Sequence, residues 1–258
     1  MEVKLDGRVA LVTGGSKGIG LAIAVRMAAS GADVAMLARR VAVLDEARTV
    51  VQASARGRVH VVPCDVSRAG EVARAYGEVL QAFGRVDILV NNAGSSQVGA
   101  FTSITDEVWQ ADLDLKLFAA IRLARLAWPG MAERRWGRII NVLNSLAKAP
   151  KAGTAPTAVS RAAGLALTKV LAGEGAAHNI LVNSLHVGLI ESDQWVRRAR
   201  QEGQPYEAFL AGMAAGIPLG RVGTAEEFAN VACFLASDLA GYVTGTGINV
   251  DGNLCPVT

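Results

Sequence analysis

Eight residues, Thr13 through Gly20 (Thr-Gly-Gly-Ser-Lys-Gly-Ile-Gly), have the types and spacing to cradle a pyrophosphate. They follow an apolar run, Val9, Ala10, Leu11 and Val12, and open a stretch of helical periodicity. In that order of strand, turn and helix, glycines let the backbone approach phosphate oxygens, and the unpaired N–H groups of the first helical turn carry partial positive charge. Gly14, Gly18 and Gly20 give Gly-x-x-x-Gly-x-Gly, one residue longer than the commoner dinucleotide fingerprint. The next apolar run ends Leu37-Ala38-Arg39-Arg40. A carboxylate there would bond ribose hydroxyls and select NAD(H). Two guanidinium groups, with Lys17 inside the turn, suit a 2′-phosphate and favour NADP(H) over NAD(H). Arg39 and Arg40 would serve equally as a solvated helix start.

The elements that must position these groups follow from hydrophobic period. Strands are expected at Arg8–Val12, Asp33–Leu37, Val59–Val62, Val86–Val90, Arg138–Val142, Ile180–Leu185 and Gly247–Val250, with helices near 18–30, 41–55, 68–83, 105–133, 154–177 and 224–236. Regular alternation predicts an α/β fold, a doubly wound Rossmann sheet of about seven mainly parallel strands with helices on both faces. The composition agrees: 51% of the 258 residues are hydrophobic and only 5% aromatic, as buried aliphatic strands require. No linker or repeat divides the chain, so residues 1–258 read as one domain. Residues 191–223 lack a strand, and Trp195, Arg197, Arg198, Arg200 and Tyr206 within them suit a mobile substrate lid. Its arginines suit an anionic substrate or simply solvent.

Other classes are set aside on composition. A net charge of +3, with basic residues spread along the chain, does not call for nucleic acid. Cys64, Cys233 and Cys255 have no paired spacing and fit a reducing cytoplasm. His60, His178 and His186 lack metal-ligand spacing, so no metal is expected. No apolar run approaches the ~20 residues of a membrane span, so no membrane partner is expected.

Several motifs together resemble those of the short-chain dehydrogenase/reductase (SDR) family, and the resemblance runs from end to end. Gly14, Ser16, Lys17, Gly18, Ile19 and Gly20 match its nucleotide turn. Asp65, beside Val66, resembles its adenine contact. Asn91-Asn92-Ala93-Gly94 resembles its fourth-strand motif, and Pro218-Leu219-Gly220-Arg221, Phe234 to Asp238, and Asp251-Gly252 resemble its C-terminal pattern. Gly188, Ile190 and Ser192 fall where the family meets the nicotinamide end. The resemblance implies an oxidoreductase that moves hydride between a nicotinamide cofactor and a small-molecule carbonyl or alcohol, assembled as a homotetramer.

The family's reaction residues are a Ser, a Tyr thirteen residues later, a Lys four further on, and an Asn on the preceding helix. The flanking sequence places Asn144, Thr157, Arg161 and Lys116 at those positions, so all four differ. No frame shift recovers the pattern, because the only tyrosines are Tyr76, Tyr206 and Tyr242. Ser145 stands next to the Ser position. A positioned general acid is worth ~10²–10⁴ in rate, and threonine is a far weaker acid than a phenol. Arg161 can grip ribose but is expected to keep its proton. Lys116 is the leading substitute donor, or else an exposed helix lysine; His186 and Tyr206 are further candidates. Three readings therefore stand: an NADP(H)-binding oxidoreductase with a rearranged site, a lyase, cyclase or isomerase without net redox, and a non-catalytic NADP(H)-sensing or scaffold protein.

Overall fold

Short, nearly continuous apolar runs become parallel strands that bury both faces. A computed structural model describes residues 2–257, the side chains of 193, 194 and 197 excepted. The main strands are β1 (Val9–Thr13), β2 (Asp33–Ala38), β3 (Val59–Pro63), β4 (Ile88–Asn91), β6 (Gly137–Asn144), β8 (Ile180–Val187) and β9 (Gly247–Val250). They pair in parallel in the order β3-β2-β1-β4-β6-β8-β9. Alternate residues feed two cores. Ala10, Val12, Val34, Met36, Ile88 and Val90 pack on one side, and Leu11, Ala35, Leu37 and Leu89 on the other.

Helices α1 (Gly18–Ala29), α2 (Val41–Gln52) and α9 (Ala225–Leu235) contribute to the first core. Helices α3 (Ala69–Phe83), α5 (Ala119–Glu133) and α6 (Thr157–Gly175) contribute to the second. The strand order reverses between β1 and β4, and a crevice at such a switch point is where open α/β sheets bind ligands.

Three details depart from the sequence expectation. The helix expected over 105–133 is broken: α4 (Asp106–Leu113) runs into a π-helical turn, Asp114–Phe118, before α5. The wider turn re-aims Leu115 and Lys116, as π turns at functional sites do. The helix expected from 154 starts at Thr157, because Ala155–Pro156 forms β7, antiparallel to β5 (Val98–Gly99). The presumed lid holds α7 (Asp193–Gln201) and α8 (Tyr206–Ala214), with the Trp195 and Phe209 rings 6.2 Å apart and tilted by 37°. Of its arginines, Arg198 pairs with Glu202 at 2.8 Å on an exposed surface, and the Arg197 side chain lies outside the described residues.

Candidate active site

The glycine turn is built for close approach. A Cβ on Gly20 would lie 2.2 Å from the Gly14 carbonyl oxygen, so only glycine lets the turn fold onto the start of α1. Gly14 and Gly18 have φ of +64° and +53°. The Asn92 side-chain Nδ2 donates to the carbonyls of Thr13 and Gly14 at 2.9 and 3.3 Å, while the Thr13 hydroxyl accepts from the backbone N–H groups of Asn92 and Ala93. The ends of β1 and β4 are thereby locked together beneath the crevice.

Two cavities open along that crevice. The first, about 230 Å³, is lined by Gly14, Ser16, Arg39, Arg40, Cys64, Asp65, Val66, Ala93, Gly94, Ser95 and Leu115, among others. Arg39 and Arg40 are exposed at its rim. Burial works against charge on the Asp65 carboxyl, but two hydrogen bonds from Ser67, with Arg39 and Arg68 nearby, hold its pKa below the ordinary value. Burial pushes the Cys64 thiol up to about 11, which leaves it protonated and unreactive.

The second cavity, about 330 Å³, is bounded by Gly14, Lys17, Ile19, Gly20, Asn92, Ala93, Gly94, Asn144, Thr157, Arg161 and Ser192, with other residues. Asn144, Thr157 and Arg161 therefore meet at one end of the crevice. Gly188 and Ile190 stand apart: a Cβ on Gly188 would strike Asp251 at 2.5 Å, and Ile190 lines a separate hollow with Gly223 and Asp251. Ser145 opens a 3₁₀ turn and is not among the lining residues. His186 is fully buried within β8, with Nδ1 at 3.1 Å from the Asn144 carbonyl and Nε2 at 3.1 Å from Ser184 Oγ. Burial lowers its pKa, against the Asn144 hydrogen bond.

Arg161 enters from the second turn of α6. One guanidinium nitrogen donates to the Val142 carbonyl at 2.7 Å, and another sits where a Cβ on Gly94 would fall, 2.5 Å away. Its Nε is buried and makes no hydrogen bond, as is the Asn144 Oδ1. Burial lowers the Arg161 pKa to about 10, below the sequence expectation, but the group stays charged at neutral pH. A cation with spare donors beside a glycine-walled cavity fits a ribose or another oxygen-rich group.

Lys116 does not lie on an exposed helix face, and it does not line the cavity. Its Nζ donates to Asp112 Oδ1 and, at 2.8 Å, to Thr157 Oγ1, and the Lys116 and Asp112 side chains are each 1% exposed. Asp112 Oδ2 accepts from Ser160 at 2.6 Å. The Gln97 backbone N–H donates to Thr157 Oγ1 at 2.9 Å, in continuation of the β5–β7 pairing. Burial lowers the Lys116 pKa and the Arg161 charge adds to it, while the Asp112 contact opposes both. Asp112 and Ser160 are not evident from motif spacing alone; the available signal was the i,i+4 separation of Asp112 and Lys116 on one helical face.

Among the described residues, no cluster of His, Cys, Asp and Glu could hold a metal, and no helix is long and apolar enough to cross a membrane. The order of strands and the crevice at their reversal define a doubly wound α/β protein of the Rossmann type. Residues 14–254 match the family model described as enoyl-(acyl carrier protein) reductase. The chain is 34% identical to a 3-oxoacyl-(acyl-carrier-protein) reductase of Aquifex aeolicus over 258 residues, covering 98% of this chain and all of the relative. The structure of L-sorbose reductase from Gluconobacter frateurii complexed with NADPH and L-sorbose superposes with a TM-score of 0.96 at 35% identity, over the whole of both chains. A 3-oxoacyl (acyl-carrier-protein) reductase from Agrobacterium tumefaciens C58 with NADP bound gives 0.89 at 31%, over 97% of this chain and 95% of the other. The protein belongs to the short-chain dehydrogenase/reductase family of oxidoreductases.

Proposed function

We propose that the protein binds NADP(H) and interconverts a carbonyl and an alcohol on a small-molecule substrate. The observation that carries this reading is the shared wall of Gly14, Ala93, Gly94 and Ser95, which runs through both cavities and joins the arginine-rimmed end to the end holding Asn144, Thr157 and Arg161. Arg39 and Arg40 would hold the 2′-phosphate, the glycine turn at the head of α1 the pyrophosphate, and Arg161 the far ribose. Relatives solved with NADPH and with NADP support the choice of cofactor. When bound, the cofactor supplies or takes the hydride.

The protein's own task is then placement and charge. Holding two reactants in line is worth ~7–11 kcal/mol, so a site without a phenol retains most of its advantage if the reacting oxygen meets a donor. The Asn144 amide and the Thr157 hydroxyl are polar side chains that line that cavity with Arg161. Calorimetry with NADPH and NADH tests the reading. A phosphate contact worth ~1.5–3 kcal/mol predicts roughly 10- to 100-fold tighter NADPH binding, and Arg39→Asp should abolish or reverse the preference. Equal affinities in the native protein would refute it.

A further inference from the structure

We infer that Thr157, Lys116 and Asp112 form a relay that delivers the proton to the reacting oxygen through the Thr157 hydroxyl. The inference rests on the NADP(H) reading above and names the groups that complete its chemistry.

The geometry is specific. Thr157 Oγ1 accepts two hydrogen bonds, from the Gln97 backbone N–H at 2.9 Å and from Lys116 Nζ at 2.8 Å. Both lone pairs are used, and among the described residues the hydroxyl proton has no hydrogen-bond acceptor. Thr157 lines the cavity with Asn144 and Arg161, so that proton is directed to whatever oxygen enters. A hydroxyl that accepts from a buried ammonium is a stronger donor than one in water, since hydrogen bonds in a chain polarise one another.

The supply of the proton is equally built in. Lys116 is 8% exposed overall and is fixed by Asp112, which Ser160 holds in turn at 2.6 Å. Neither Lys116 nor Asp112 touches substrate; they position and charge Thr157. During reduction, hydride arrives at the carbonyl carbon and the C=O π pair moves to oxygen. The O–H bond of Thr157 breaks toward that oxygen, and an N–H bond of Lys116 breaks toward Thr157 Oγ1. The result is an alcohol, an oxidised cofactor, an intact threonine and a neutral amine. Water entering as product leaves returns the proton by the same route, and oxidation runs the relay backwards. The charged groups acting on Lys116 are Asp112 from α4 and Arg161 from α6. Because the relay needs the ammonium, reduction should fall as pH rises through the Lys116 pKa, which burial sets below its ordinary value of 10.5.

The test uses the NADPH complex and a panel of activated ketones in single-turnover hydride transfer. Thr157→Val and Lys116→Met should slow the transfer by roughly 10²–10⁴ with NADPH affinity held within about twofold, and Thr157→Ser should restore it to within about tenfold of the native rate. The alkaline fall in the native rate profile should disappear in Lys116→Met. A Thr157→Val rate within about threefold of native overturns the relay. Should the native protein turn over no ketone, or should Thr157→Val fail to fold, the Lys116 Nζ resonance in 15N-lysine protein with NADP⁺ decides. Saturation with trifluoroethanol, an alcohol-oxygen probe, should shift that resonance. A shift without turnover keeps the proton path from Lys116 through Thr157 to a bound oxygen and removes the proposed carbonyl–alcohol interconversion, and no shift overturns the relay.

Discussion

Asp112→Ala leaves the Lys116 ammonium at a site where its side chain is 1% exposed and its anionic partner is gone. Removing one partner of a buried ion pair costs ~3–5 kcal/mol. Ser160 loses its carboxylate acceptor but keeps the Thr157 carbonyl at 3.1 Å, so it adds little. In a chain of this size each kcal/mol moves Tm by ~2–4 °C, which gives an expected fall of about 6–20 °C. Replacing both partners with apolar residues of similar volume, Asp112→Leu with Lys116→Met, should recover most of the loss, because the desolvation cost disappears with the charges.

The pH dependence separates this account from simple loss of packing. The folded pKa of Lys116 lies below its ordinary 10.5, so between the two values the unfolded chain binds more protons and stability rises with pH. Taking away Asp112 removes the contact that raises that pKa, which extends the window downward. Asp112→Ala should therefore regain stability as pH climbs toward 10.5, and the double variant should not. Denaturant unfolding across a pH series, with unchanged m-values, measures both effects. A loss under about 1 kcal/mol, or a double variant no better than the single one, would refute the buried pair as described.

Gly94→Ala puts a methyl 2.5 Å from an Arg161 guanidinium nitrogen. It should weaken NADPH binding about tenfold or more while costing ~1–3 kcal/mol of stability, and unchanged affinity by calorimetry would take Arg161 off the ribose. The triple change Asn144→Ser, Thr157→Tyr, Arg161→Lys should raise reduction of a generic activated ketone in a cofactor-consumption assay. If that variant folds, binds NADPH and stays inactive across a broad ketone panel, the pocket is not a decayed version of the family site.

The fold was legible because its cause is local. The unbroken apolar runs in Val9–Thr13 and Asp33–Ala38 mark strands buried on both faces, and the strand geometry sorts alternate residues to two cores. The glycine turn was legible for the same reason, since Gly20 faces a neighbour only six residues away. The reaction end was legible only as a set of replacements. What Lys116 does depends on the π turn that re-aims it and on Thr157, 41 residues distant. A periodic apolar pattern cannot distinguish a π turn from an α turn within one long amphipathic segment. The start of α6 was misplaced because the pairing of Ala155–Pro156 with Val98–Gly99 joins segments far apart in sequence.

The wall common to the two cavities divides the molecule into a socket and a tool. The socket comes from the ends of β1, β2 and β4, whereas Asn144, Thr157 and Arg161 are carried by β6, next to β4 in the sheet, and by α6. Asn144 and Thr157 can be rewritten without loosening the first set, while Arg161 belongs to both, since in the proposed complex it also faces the ribose. A lineage built this way can change what it does with a nucleotide through intermediates that never lose the nucleotide, and an engineer can exchange the tool while the grip stays in place.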